Sequence, residues 1–340
     1  MTNAVAAHFR AQAQACRRLG SPFTADLLAR LIAAPIEASR FGARILGWKG
    51  EPGADALALR AAGALHALAL SGRAPALTAA YPPAPGPDAE LLAETVASHD
   101  AWLFPWLDSP PQTNEVARSG VLLGGLLTIA TETGKSLELL EIGASAGLNL
   151  VPDRYRYALG VGNWGDAAAT PLIECEWRGA APPFDARLDI AARAGVDLRP
   201  VDPALRPSPL LCYVWPDQHA RRARLEAALD RLAASGLKVA AGDAAEWLAL
   251  RLREPQAAGR ARVILHSIMW MYLPESTRAV IDAEISAAGA RASQDRPLAH
   301  LRLEPDGVQG SAAIRLTTWP GGEPRLLGRG DYHGRWADWV

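Results

Sequence analysis

The chain has 340 residues, 49% of them hydrophobic and 21% charged, with 35 Lys and Arg against 36 Asp and Glu. Such a composition builds a globular chain with a sizeable core and excludes a disordered chain and a collagen-like fibre, while the charge balance leaves no field to draw nucleic acid or an anionic membrane onto the surface. Cys16, Cys175 and Cys212 lie far apart without Cys-x-x-Cys or Cys/His spacing, and no run approaches the ~18 uncharged residues of a membrane span, so a cytoplasmic protein with no metal site and no disulfide framework is expected.

Residues 1–112 read as a helical region, with apolar residues at three-four spacing. Ser21 and Pro22 form an N-cap and first helical residue. A second helix spans 55–70 and stops at Ser71-Gly72, and YPPAPGP at 81–87 is a rigid linker. The spacing then predicts a helix over 88–107, carrying Trp102, Phe104 and Trp106, and another capped by Thr113 and Asn114 that runs through Ile129. From Ser136 short apolar strands alternate with helices, the pattern of βαβ units and a mostly parallel sheet, so residues 113–340 form an α/β domain. SLELLEIG is a buried strand, and RYRYAL with LIECEWRG makes a two-stranded excursion inside an insertion at 151–190. AGVDL and KVAAGDA are further strands, RVILHSIMWMYL is a strand with its loop, and HLRLE is another strand, with helices between them. IRLTTW and PRLLGRGDYH close the chain as an antiparallel hairpin about Pro320-Gly321-Gly322.

The sharpest motif is E-I-G-A-S-A-G-L-N, directly after the first strand. Small residues at Gly143, Ser145 and Gly147 let the backbone approach a ligand closely, with Glu141 and Asn149 at either end. Asp197 closes a following strand, where a carboxylate accepts ribose hydroxyls; Glu174 or Glu176 takes that place if LIECEWRG is the second core strand. Asp243, in Gly242-Asp243-Ala244, also reads as the N-cap of the next helix. His266, at the end of a strand, is either a core histidine or a base near its ordinary pKa of ~6.5, with Ser267 as a positioning donor. Trp270 and Tyr272 alternate beyond it and line a pocket or simply pack. Gln112, Asn114, Glu115 and Arg118 form a polar cluster, either a helix cap or an active-site group. His8, His66, His99, His219 and His300 have no partner at readable spacing.

The glycine motif resembles that of the class I S-adenosylmethionine-dependent methyltransferases, acidic-x-Gly-x-Gly/Ser-x-Gly after the first strand. The resemblance covers roughly 113–340 and implies a Rossmann-like methyltransferase fold with a C-terminal antiparallel hairpin, S-adenosylmethionine as cofactor and a small-molecule acceptor. It implies that Gly143, Ser145 and Gly147 wrap the methionine part of the cofactor. Asp197 would hold the ribose, and Gly242, Asp243 and Ala244 would border the adenine. The stretch between Gly147 and Asp197 holds 49 residues, longer than the usual strand-helix-strand step, and Pro152 interrupts any helix after the loop. His266-Ser267 replaces the Asp/Asn-Pro-Pro-aromatic motif of many amine and amide methylators.

The wider set of QTNE at 112–115, GASAGLNL, WPDQ at 215–218, GDA and His266-Ser267 resembles an uncharacterised bacterial family, domain of unknown function number 2332. That likeness covers nearly the whole chain and supplies no substrate. Two other functions use the same residues. Gly143-Ala-Ser145-Ala-Gly147 also satisfies the G-x-S-x-G elbow of serine α/β-hydrolases, with Asp243 and His266 or His333 downstream, although no His-Gly-Gly-Gly segment precedes the strand. A cofactor-binding or regulatory protein of the same fold, without turnover, is the other. The expected activity is methyl transfer from S-adenosylmethionine to an unknown small molecule; the sequence does not set an oligomeric state.

Overall fold

Three helices of the N-terminal region begin at side-chain caps, Ser21, Ser39 and Asp88. The computed structural model describes residues 3–206 and 208–340. It divides into two units, the first comprising Met1–Thr113 with Leu205–Ala223 and the second Asn114–Ala204 with Arg224–Val340. Unit 1 contains α1 (Asn3–Arg18), α2 (Pro22–Ala33), α3 (Arg40–Leu46), α4 (Leu57–Leu70), α5 (Pro75–Ala80), α6 (Ala89–Ser98) and α7 (Asp100–Leu103). Their apolar stripes bury Phe9, Leu28, Leu31, Phe41, Leu65 and Leu68 in one core.

Ser21 caps α2 as expected. The Asp217 carboxylate joins it, accepting from the Phe23 amide at 2.9 Å and from the Ser21 hydroxyl, while Trp215 packs on the helical core. The WPDQ segment therefore closes unit 1. His66 of α4 is buried, its Nδ1 3.1 Å from the Cys212 carbonyl and its ring stacked on Tyr81. The single helix expected over 88–107 is broken instead into α6, α7 and a 3-10 turn, Phe104–Asp108. Pro105 has no amide proton to continue the ladder, and His99 turns its ring back onto the Thr95 carbonyl.

Unit 2 contains α8 (Arg118–Thr133), β1 (Ser136–Ile142), β2 (Arg156–Ala158), β3 (Asn163–Trp164), β4 (Leu172–Glu174), β5 (Glu176–Gly179) and β6 (Ile190–Asp197). After α9 (His219–Ser235) follow β7 (Ala240–Ala241), α10 (Ala244–Arg253), β8 (Arg260–Ser267), α11 (Glu275–Gly289), β9 (Leu298–Glu304), β10 (Ala312–Trp319), β11 (Pro324–Gly330) and β12 (Trp336–Trp339). The unit is α/β: its nine-stranded sheet runs β5-β12-β11-β10-β9-β8-β1-β6-β7, parallel from β9 to β7 and antiparallel from β9 through β12. β1 and β8 are buried on both faces, as central parallel strands are.

Four expectations need correction. The helix read from Thr113 and Asn114 starts only at Arg118, because the Asn114 side chain is spent elsewhere. KVAAGDA yields only the two exposed residues of β7, since Gly242 turns the chain immediately after the Asp197 pairing. LIECEWRG splits: β4 joins β2 and β3 in a small separate sheet, whereas β5 pairs in parallel with β12. Glu174 and Glu176 thus lie off the second core strand, which is β6, ending at Asp197. Among the described residues no helix is long and apolar enough to cross a membrane.

Candidate functional site

Strand order reverses between β1 and β8, so the loops that follow these two strands border the crevice in which open parallel sheets bind ligands. After β1 the backbone leaves the sheet through left-handed residues: Gly143 at φ +67°, Ser145 at +55° and Gly147 at +95°. No α-helix follows. Two 3-10 turns, Leu148–Leu150 and Pro152–Arg154, take its place, held by Tyr155 and Tyr157 hydroxyls on the Leu148 and Pro152 carbonyls and by the Arg193–Asp153 ion pair. Gly195 of β6 admits this loop, since a Cβ there would meet Ala144 at 2.8 Å and Leu150 at 2.9 Å.

Most of the loop's amides are spent inside the protein. Ala144 donates to Val196, Ser145 to the Asp197 carboxylate at 2.9 Å, Gly147 to Ala144, and Leu148 to Asn114 Oδ1 at 3.1 Å. With no helix N-terminus and these donors occupied, the loop is not a phosphate cradle. Its side chains present the opposite picture. Glu141 Oε2, Ser145 Oγ and both amide atoms of Asn149 are fully buried without a well-formed hydrogen bond inside the protein, Asn149 lying near enough to the Glu141 carboxyl to act on its ionisation. Buried polar atoms left without good hydrogen bonds are rare and costly, so four gathered at the end of β1 and in the loop after it call for a bound polar group or water. Burial pushes the Glu141 carboxyl up to about 8, Asp197 adds to the rise, and Asn149 and Arg118 oppose it.

The other candidates surround this loop. Asn114, Glu115 and Arg118 are buried; Arg118 donates to the Tyr332 carbonyl at 2.8 Å and to that of Ser267 at 3.5 Å. Gly242 donates its amide to the Asp197 carbonyl, which brings the ends of β6 and β7 together, and Asp243 caps α10 through the Ala245 and Glu246 amides. Ser267 is buried with its carbonyl facing Arg118, whereas Tyr272 is 68% exposed.

His266 is wholly buried. Its Nδ1 lies 2.7 Å from Glu304 and its Nε2 3.0 Å from His300 Nε2, and its ring stacks on Trp270. Both ring nitrogens are therefore engaged. Sequence reasoning missed Glu304, His300 and Met269: the residues pairing with His266 stand 38 and 34 positions away, visible only once β8 and β9 are neighbours.

A family model for an uncharacterized protein conserved in bacteria (DUF2332) matches residues 6–339. The chain belongs to that family. No curated protein and no solved structure matches it. The family description names no reaction, so chemistry has to come from the site itself. Among the described residues no group of His, Cys, Asp or Glu is placed to hold a metal ion. What the family's chain assembles is a buried carboxyl, a hydroxyl and a carboxamide around a tight loop, with a second carboxylate, Asp197, on the adjoining strand end.

Proposed function

We propose that unit 2 is a Rossmann-like S-adenosylmethionine-dependent methyltransferase acting on a small molecule. The observation that carries this reading is the cluster of buried polar atoms without well-formed hydrogen bonds on Glu141, Ser145 and Asn149 beside the switch point. A carboxyl, a hydroxyl and a carboxamide suit the amino-acid portion of such a ligand, which offers an ammonium and a carboxylate. Asp197 adds an acceptor for ribose hydroxyls; its oxygens already take the Ser145 and Arg199 amides, and each carboxylate oxygen accepts more than one bond. Gly242 and Ala244 border the adenine side, with Asp243 fixing the start of α10.

When bound, the cofactor supplies an electrophilic methyl group. The chain's residues bind, align and exclude water, and transfer rests chiefly on proximity. Trp270 and Tyr272 flank the acceptor side, Asn114 and Arg118 support the loop, and His266 with Ser267 stands at the end of β8. The hydrolase alternative has one observation in its favour, the left-handed Ser145 expected of an elbow. Against it, His266 commits both nitrogens to Glu304 and His300.

Calorimetric titration with S-adenosylmethionine and S-adenosylhomocysteine tests the proposal. Micromolar binding is expected, and it should vanish in Gly143→Arg, where even a Cβ would meet Met269 at 2.9 Å. It should weaken strongly in Asp197→Ala. Silence toward both ligands in folded wild-type protein overturns the reading, and Ser145-dependent ester cleavage would replace it.

A further inference from the structure

Glu304 ends β9 with its side chain almost fully buried, and its hydrogen bonds go to His266 near the end of β8 and to the turn that follows that strand. It takes the His266 Nδ1 contact at 2.7 Å, the Met269 amide at 3.1 and 3.2 Å, and the Trp270 amide at 3.3 Å. Leu303 pins the same turn by accepting the Ile268 amide at 3.0 Å. Ile268 sits at φ +52°, a left-handed conformation that a β-branched residue adopts only when its surroundings impose it. The imposed shape places Met269 over the glycine loop: a Cβ on Gly143 would meet the Met269 Cβ and Cγ at 2.9 Å and its Cε at 3.0 Å.

The network behind Glu304 fixes its orientation. A carboxylate that already accepts two backbone amides is an acceptor for the proton on His266 Nδ1, which leaves Nε2 facing His300 Nε2 with room for one shared proton. Burial, with the nearby His266 and Arg302, holds His300 well below the ordinary histidine range, so it stays neutral. A buried ionisable group of this kind is costly where an apolar side chain would fill the same space, and hydrogen bonds to one turn are what it provides in return.

We propose that Glu304 is the positioning residue of the glycine-loop site: aligned by His266 and His300, it fixes the 268–270 turn so that Met269 roofs Gly143. It rests on the reading of this loop as the cofactor site and adds the element that closes it.

The chain's methionines give a direct test, because two of its three, Met269 and Met271, lie on this turn. With carbon-13 methyl-labelled methionine, the wild-type Met269 signal should be distinct from that of exposed Met271 and sharp. In Glu304→Ala it should collapse toward the exposed position, and affinity for S-adenosylhomocysteine should fall by about tenfold or more, as misplacement of a binding element does. Glu304→Gln, which keeps one acceptor oxygen, should be intermediate in both readouts, and it carries the test alone if the alanine variant does not fold. An unchanged Met269 signal in either folded variant overturns the proposal, as does a displaced signal with unaltered affinity. Failure of the wild-type chain to bind S-adenosylhomocysteine overturns the methyltransferase reading instead, separately from the methyl signals.

Discussion

Glu141 sets the electrostatics of the site through a charge it does not carry. In the unfolded chain its carboxyl ionises near 4.5, whereas in the fold, burial first and Asp197 second raise it to about 8. Between those values the folded protein holds a proton that the unfolded chain has released. Stability is therefore intact below the unfolded value and is lost as pH rises through the folded one, at ~1.4 kcal/mol for each unit of displacement. Glu141→Gln, neutral at every pH, should match the wild type in thermal stability near pH 4.5 and melt several degrees higher near pH 8.5. A difference that does not vary with pH would show that the carboxyl is ionised in the fold. The same reasoning bears on binding, because an ammonium brought against Oε2 favours ionisation, so ligand uptake near neutral pH should release a proton, measurable as a buffer-dependent heat.

Among elements, the sequence was readable where structure is local and opaque where it is not. Ser21, Asp88 and Asp243 cap helices that begin at the next residue, and Gly134 ends α8 in the left-handed conformation, each legible from residue type and position alone. The E-I-G-A-S-A-G motif likewise placed the turn after β1. Pairings between distant segments left no local mark: nothing in EWRG indicates that β5 will join β12, and nothing near His266 announces Glu304. Asn114 shows the same limit, since its type reads as a cap while its carbonyl oxygen serves Leu148 across the fold. WPDQ is a further case, a motif whose aspartate completes the N-terminus of α2. Asp217→Ala should cost unit 1 about 1–2 kcal/mol, the usual price of a lost cap. Hydrogen exchange should report faster opening in α2 and no change in β1 or β8; an unaltered α2 would mean that Ser21 suffices.

At the scale of the molecule, unit 1 is discontinuous in sequence, and residues 205–223 complete it with both the Asp217 cap and the Cys212 carbonyl that receives His66. His66 gives this unit its own response to acid. Burial lowers its imidazole to about 4, against an ordinary 6.5 in the unfolded chain, with Arg222 assisting and backbone carbonyls opposing. Below pH 6.5 the unfolded chain gains a proton that the folded one refuses, so unit 1 is fully stable above that value and weakens as pH falls toward 4. At ~1.4 kcal/mol per unit the loss approaches about 3 kcal/mol. His300 gives unit 2 an acid response of the same sign, while the alkaline loss through Glu141 belongs to unit 2 alone. Peptide-resolved hydrogen exchange across pH 4 to 8.5 should therefore show α4 protection falling only toward acid and β1 protection falling on both sides. His66→Phe should lower α4 protection at pH 7.5 by ~1 kcal/mol, since the Cys212 carbonyl loses its partner, yet flatten its acid decline. An acid decline of α4 that persists unchanged in His66→Phe would assign the sensitivity to another group. Two units with one acid limb in common and an alkaline limb in only one cannot share a single titrating cause, which is why the measurement has to resolve them separately.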